Sequence, residues 1–199
     1  MRRQYKRGFN VGDTSYRDAI VAAGFKNRPL IRYDYRMEAI DADMRLICLG
    51  PTAYIKGKFM RFEDEIAAHV DYFILPRALR GHGFGKLLFQ AMVLAAKEYG
   101  ASTLHSDEVS NDALRVRWSL FGDSPQQFYD TDIPLDGDNL PFTLDQAMLT
   151  NDLVEASWQQ AGPDDWHASK LGIVLDLDSV DTSCWAPLDI RVRNEDPTI

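Results

Sequence analysis

The chain has 199 residues, 45% hydrophobic and 26% charged, with a formal net charge of −8. That length supports one globular domain with a real core, and an aromatic content of 11% argues against disorder. The acidic balance disfavours non-specific nucleic-acid binding, which needs a basic footprint, and leans toward cationic or amine-bearing partners.

No run approaches the roughly 18 apolar residues that span a bilayer. The basic start, MRRQYKRGF, has no apolar stretch behind it, so no secretory signal is read and a cytoplasmic location is expected. Those nine residues hold four of the 22 Lys and Arg and read as a solvated end or as a contact for an anionic partner. Cys48 and Cys184 are too few for a disulfide scaffold.

Taken in order, Asp13 and Thr14 are N-cap candidates for a helix over 14–23, stopped by Gly24. YRMEAIDADM (35–44) reads as a second short helix. MRLICLG (44–50), TAYIKGKFMRF (52–62) and AAHVDYFILP (67–76) read as three strands of a meander. From Gly83 the period changes. Phe84, Leu87, Leu88, Ala91, Leu94 and Ala95 recur at helical spacing until Tyr99–Gly100. ASTLHSD (101–107) is a short strand, NDALRVRWSLFG (111–122) a helix, and QQFYDTDIPL (126–135) a strand. DGDN (136–139) is a turn, 143–162 a helix and 171–179 a strand, with a frayed tail. The apolar stripe Leu144, Met148, Leu149, Leu153, Val154 and Trp158 reads as core or a dimer contact.

The stretch LRGHGFGKLL (79–88) carries the chemistry. A strand ends at Pro76, glycines alternate from Gly81 to Gly85, and a helix starts at once. Glycines admit unusual dihedrals and let a ligand approach the backbone amides. A helix start offers unpaired N–H groups and the positive end of a dipole, so the unit suits a pyrophosphate. Arg80 and Lys86 add positive charge. The same stretch also reads as a plain glycine turn. A dinucleotide fingerprint fits less well, because the glycines run G-x-G-x-G and no acidic residue follows a second strand at the right distance. A P-loop needs Ser or Thr after Lys86, where Leu87 stands.

FILPRALRGHGFGKLLFQAMVLAAKEYGAS resembles the GNAT superfamily of N-acetyltransferases, in which a strand ending in Pro is followed by an Arg-x-x-Gly-x-Gly loop and a long helix. Arg80, Gly83 and Gly85 occupy the motif positions, and Gly81 matches the common Arg-Gly start. Asn111, Trp118 and Gly122 fall at the spacings of a downstream Asn, Tyr and Gly. The resemblance spans residues 40–132, and 10–40 more loosely.

It implies an α+β GNAT fold, a mixed and mostly antiparallel twisted sheet with helices on both faces. Residues 1–134 would form the acyl-CoA-binding domain. Residues 135–199 would be a C-terminal extension of helix plus strand, packed on the same domain or on a partner or second copy. Acetyl-CoA would be the co-substrate and a primary amine the acceptor. The pyrophosphate falls to the amides of Gly81, His82, Gly83, Phe84, Gly85 and Lys86, with Arg80 beside them. The pantetheine arm falls to Tyr72, Phe73, Ile74 and Leu75, and to Asn111. Trp118 stands where the family has its acid Tyr, and an indole gives up no proton near neutral pH. Tyr129 is a substitute acid. His69 and Asp71 share a strand face and are candidate bases, with Glu65, Asp107 and Glu108 as further relays. A GNAT-fold binding or structural protein without turnover is the alternative.

Other chemistries find no pattern. His69, His82, His105 and His167 lack metal-ligand spacing, DLDSVD lacks the Gly and Glu of a calcium loop, and Ser106 and Cys184 have no base arranged beside them in sequence.

Overall fold

The computed structural model describes residues 30–50, 52–62, 64–107, 111–121, 126–130, 171–185 and 187–194. They form an α+β unit around one sheet. Its strands are β1 (Leu30–Met37), β2 (Ala42–Cys48), β3 (Tyr54–Phe62), β4 (Glu65–Ile74), β5 (Thr103–Ser106), β6 (Gln126–Asp130), β7 (Leu171–Asp176) and β8 (Ile190–Arg193). The order across the sheet is β6-β7-β5-β4-β3-β2-β1-β8. The pairs β4–β5 and β1–β8 are parallel and the others antiparallel, so the sheet is mixed and mostly antiparallel.

Two α-helices are described, α1 (Phe84–Tyr99) and α2 (Asn111–Phe121). α1 is the parallel crossover from β4 to β5, the connection that parallel neighbours require. Its apolar stripe packs on Ile47, Ile55, Phe59, Ala68, Val70 and Leu104, with Met92 and Phe89 wholly buried. The helix ends at Gly100, whose φ of 89° lets its N–H return to the carbonyls of Ala96 and Lys97. α2 lies on the same face, for Phe121 and Val116 join this core. The helices expected over 14–23 and 143–162 lie outside the described residues, as does the turn at 136–139.

The expected helix over 35–44 is not formed. Its first residues end β1, Glu38–Ile40 make one 3-10 turn, and its last residues open β2. Asp41 takes a left-handed φ of 48° and donates its N–H to the Glu38 carbonyl, which closes a hairpin with Met37 opposite Ala42. Alternation decides the matter. Arg32, Asp34 and Arg36 line the helix-bearing face, where Arg32 meets Glu98 and Asp34, and Asp34 meets Arg45. An apolar-polar mixture this short satisfies both periods, and cross-strand pairing settles it.

Residues 171–193 contribute strands to this sheet. β7 is inserted between β5 and β6, and β8 covers the outer side of β1. Lys97 of α1 donates to the carbonyls of Leu177 (2.6 Å) and Val180 (3.0 Å), which ties the chain after β7 to the end of the helix.

Candidate functional site

β4 and β5 run side by side for four rungs, from Ala67–Thr103 to Val70–Ser106. β5 then ends, while β4 continues through Asp71, Tyr72, Phe73 and Ile74. On that side these four residues have no strand partner among the described residues, although β3 still pairs with Tyr72, Phe73 and Ile74 on the other side. The strands part where the chain of β4 turns into Pro76 and the glycine loop.

A bulge sits at the same place. Lys56 pairs with Tyr72 and Gly57 with Val70, so Asp71 is the extra residue on β4. The bulge reverses the alternation. Ala68 and Val70 face α1 before it, and Phe73 does so after it, in edge contact with Phe89 at 6.2 Å. His69, Asp71, Tyr72 and Ile74 therefore share the face turned away from α1. Tyr72 is 60% and Ile74 41% exposed. Gly57 accommodates the close approach behind the bulge, where a Cβ would stand 2.9 Å from the Met92 sulfur and 3.2 Å from the His69 carbonyl.

After Pro76 a single 3-10 turn, Arg77–Leu79, leads into the loop. Gly81 and Gly83 have φ of 79° and 84°, the left-handed region that L side chains rarely adopt. Gly83 is the N-cap of α1 and supplies no side-chain cap, so the first-turn N–H groups point outward from the helix start. Gly85 lets that start sit against its neighbours. A Cβ there would lie 3.1 Å from Val116 of α2 and 3.3 Å from the Phe73 ring. The loop thus opens toward solvent at Gly81, where an added Cβ meets nothing within 4 Å, and is closely packed at Gly85.

The two cations flank the loop and already have partners. The Arg80 guanidinium donates to the Leu75 carbonyl at 3.1 Å and lies 3.5 Å from Asp112. The Lys86 ammonium donates to the Ser119 carbonyl at 3.0 Å, which ties the start of α1 to the end of α2. His82 is exposed, its ring 6.2 Å from that of Phe84. Both loop cations are thus engaged by protein groups, and the backbone amides are the loop's remaining donors.

Beside the parting strands is a polar cluster. His69 Nδ1 is 3.3 Å from Asp71 and Nε2 is 2.9 Å from Asp107, the first residue past β5. Lys58 of β3 lies 2.6 Å from Asp71. Burial by itself would lower the His69 pKa, but hydrogen bonds and charge from the two carboxylates reverse this and hold it above the usual histidine value. Asp71 has its side chain 8% exposed, and burial would raise its pKa. His69 and Lys58 outweigh that and hold it below the usual carboxylate value. His105, the β5 partner of His69, is lowered by burial, helped by the charges of His69 and Arg117.

On the helix-bearing face, Arg117 of α2 is 1% exposed. Its guanidinium donates to the Ser106 hydroxyl at the end of β5 and sits 4.6 Å over the Phe89 ring. Sequence reading does not single out Lys58 or Arg117. Lys58 shows only as one polar member of an alternating strand, and its register to Asp71 is a tertiary fact.

The structure thus places His69, Asp71 and Tyr72 to Ile74 on β4, with Leu75 and Pro76 leading on to Arg80 to Lys86 of the loop and helix start. Asn111 opens α2 and Trp118 lies in its second half, and their side chains lie outside the described residues. The Tyr129 side chain does too. Its strand is three places from β4, with β7 and β5 between, so the sheet does not set it beside His69. Glu108 lies outside the described residues. Among the described residues no cluster of His, Cys, Asp and Glu could hold a metal ion, and no helix is long and apolar enough to cross a membrane. No protein-family model and no curated protein matches the chain.

Proposed function

We propose that this chain is an acyl-CoA-dependent N-acyltransferase of GNAT type, which moves an acetyl group from acetyl-CoA to a primary amine by direct attack. The observation that carries the reading is one continuous unit. β4 outruns β5 by four residues and leads through Pro76 into a loop with two left-handed glycines that opens on the start of α1. The bare edge of Asp71–Ile74 offers backbone N–H and C=O groups to the amides of a pantetheine arm. The amides from Gly81 to Lys86 suit the pyrophosphate. Arg80, half exposed, would exchange Asp112 for phosphate.

In this reading the amine nitrogen attacks the thioester carbonyl, and the oxyanion is stabilised by a backbone N–H at the bulge. The C–S bond then breaks and the thiolate leaves. The amine attacks in its neutral form, and the proton that its nitrogen then sheds passes to the leaving thiolate; His69, with both ring nitrogens on carboxylates, lies beside this edge. Holding both reactants in place supplies much of the rate. Acetyl-CoA should bind with micromolar affinity. Gly83→Glu, which sets a strained side chain and a negative charge in the loop, should abolish that binding without unfolding the protein. Unchanged affinity in that variant contradicts the site assignment.

A second reading is a GNAT-fold binding protein without turnover. Trp118 favours it, since it stands in α2 at the family's acid position. Thiol release from acetyl-CoA across a panel of amines separates the two. Turnover by the wild type refutes the inactive reading, and turnover gained only by Trp118→Tyr supports it.

A further inference from the structure

Both ring nitrogens of His69 face carboxylates, Asp71 at 3.3 Å from Nδ1 and Asp107 at 2.9 Å from Nε2. An ionised carboxylate only accepts hydrogen bonds, so the arrangement is complete only when both nitrogens carry a proton. The imidazolium then donates to each. Asp71 belongs to the bulge of β4, and Asp107 is the first residue beyond β5. The ring thus joins the two strands one step past their last rung, Val70–Ser106.

We propose that His69 is a positioning residue. As an imidazolium it clasps Asp107, the first residue past β5, beside the Asp71–Ile74 edge of β4, and on losing its proton it releases that residue.

The charged groups around the ring decide which contact yields. Lys58 from β3 holds Asp71 at 2.6 Å, and the Asp71 side chain is 8% exposed. Asp107 is 51% exposed and can exchange the imidazole for water at little cost. His105 from β5 is the ring's neighbour across the rung, and Arg117 from α2 acts on His105 from the other face. Burial favours loss of the His69 proton, and the two carboxylates favour keeping it. A neutral His69 keeps one N–H and turns a lone pair to the other carboxylate, so one contact must break. Asp71 stays with Lys58, and Asp107 departs. The clasp is a property of the strands alone. Its consequence for a ligand rests on the acyl-CoA reading of the Asp71–Ile74 edge, which it would hold preorganised.

Nitrogen-detected NMR of the imidazole, with backbone amide shifts of Asp71 to Ile74, tests it from about pH 5 to about pH 9. The expected result is a His69 midpoint above the ordinary value and amide shifts that follow it. Asp107→Asn, at an exposed position, should move that midpoint down and weaken the amide response, and His69→Gln should remove the response. A midpoint at or below the ordinary value, or amides indifferent to it, overturns the clasp. Acetyl-CoA titrations on either side of the midpoint read the consequence separately. Affinity should fall several-fold in the wild type as pH rises through the midpoint and change much less in Asp107→Asn. Equal pH dependence in both proteins overturns the positioning role. A clasp that titrates as expected in a protein that binds no acetyl-CoA upholds the clasp and refutes the acyltransferase reading.

Discussion

Val70 and Ser106 form the last rung between β4 and β5, and beyond them only β4 continues. Everything assigned to the site follows from that one rung. Past it, β4 has a backbone edge with no strand partner among the described residues, a bulge at Asp71 that sets Tyr72 on the face of His69 and Asp71, and a direct run into the glycine loop. Below it, Arg117 fixes Ser106 from the other side of the sheet.

The glycine loop should be sensitive to substitution in two distinct ways. Gly81→Ala meets no atom within 4 Å, so its cost is backbone strain at φ 79°, about 1 kcal/mol. Gly85→Ala has ordinary helical dihedrals to satisfy but crowds Val116 and Phe73 at 3.1 and 3.3 Å. That crowding opposes the gain of about 1 kcal/mol that Ala brings to a helix, so Gly85→Ala should fall clearly short of that gain. Urea denaturation of both variants checks this, and the full helical gain in Gly85→Ala contradicts the packing described.

Arg117 should prove structurally costly to truncate. A fully buried guanidinium over Phe89 and on Ser106 leaves both a cavity and a broken polar contact when removed. Arg117→Ala is expected to lose about 3 kcal/mol. Arg117→Met, of similar length and apolar, should lose less, because it refills the space. Thermal melts compare the two, and equal losses contradict the account.

The pH dependence of stability has a definite sign. The folded pKa of His69 lies above its ordinary value, so its contribution is present in full below about pH 6.5 and is lost as pH rises through the folded value. The folded pKa of Asp71 lies below its ordinary value, so its contribution is present above about pH 4 and is lost on acidification through the folded value. Urea midpoints of His69→Gln against wild type should converge as pH rises past neutrality. A gap that widens with pH contradicts the imidazolium assignment.

The two thiols should differ in reactivity. Burial pushes Cys48 up to about 11, so at pH 8 it is a protonated thiol in a strand, whereas Cys184 is exposed. Iodoacetamide should label Cys184 alone in the folded protein and both thiols in urea. Mass spectrometry of the peptides reads this directly.

Much of this arrangement was legible in the sequence, and the failures have physical causes. The change of period at Gly83 located α1, and Pro76 with the alternating glycines located the loop, because those residues restrict the backbone locally. The expectation that His69 and Asp71 share a face holds. That Tyr72 joins them depends on the bulge, which arises from pairing with Gly57 and the approach of Met92 and leaves no periodic trace. The hairpin over 35–44 reads as a helix in sequence because ten residues of mixed polarity fit either period. β8 leaves no mark in the sequence, since Ile190–Arg193 is short, largely exposed and defined only by its pairing with β1. Lys58, Asp107 and Arg117 meet their partners across sequence separations that no local pattern encodes.

The most direct test of the central claim is calorimetric titration of the folded protein with acetyl-CoA, with CoA and ATP as controls and Gly83→Glu beside the wild type. Saturable micromolar binding of acetyl-CoA and CoA, absent for ATP and lost in Gly83→Glu, is the predicted result. No heat from acetyl-CoA or CoA in a folded wild type would contradict it, and the loop would then be a turn that seats α1 on β4.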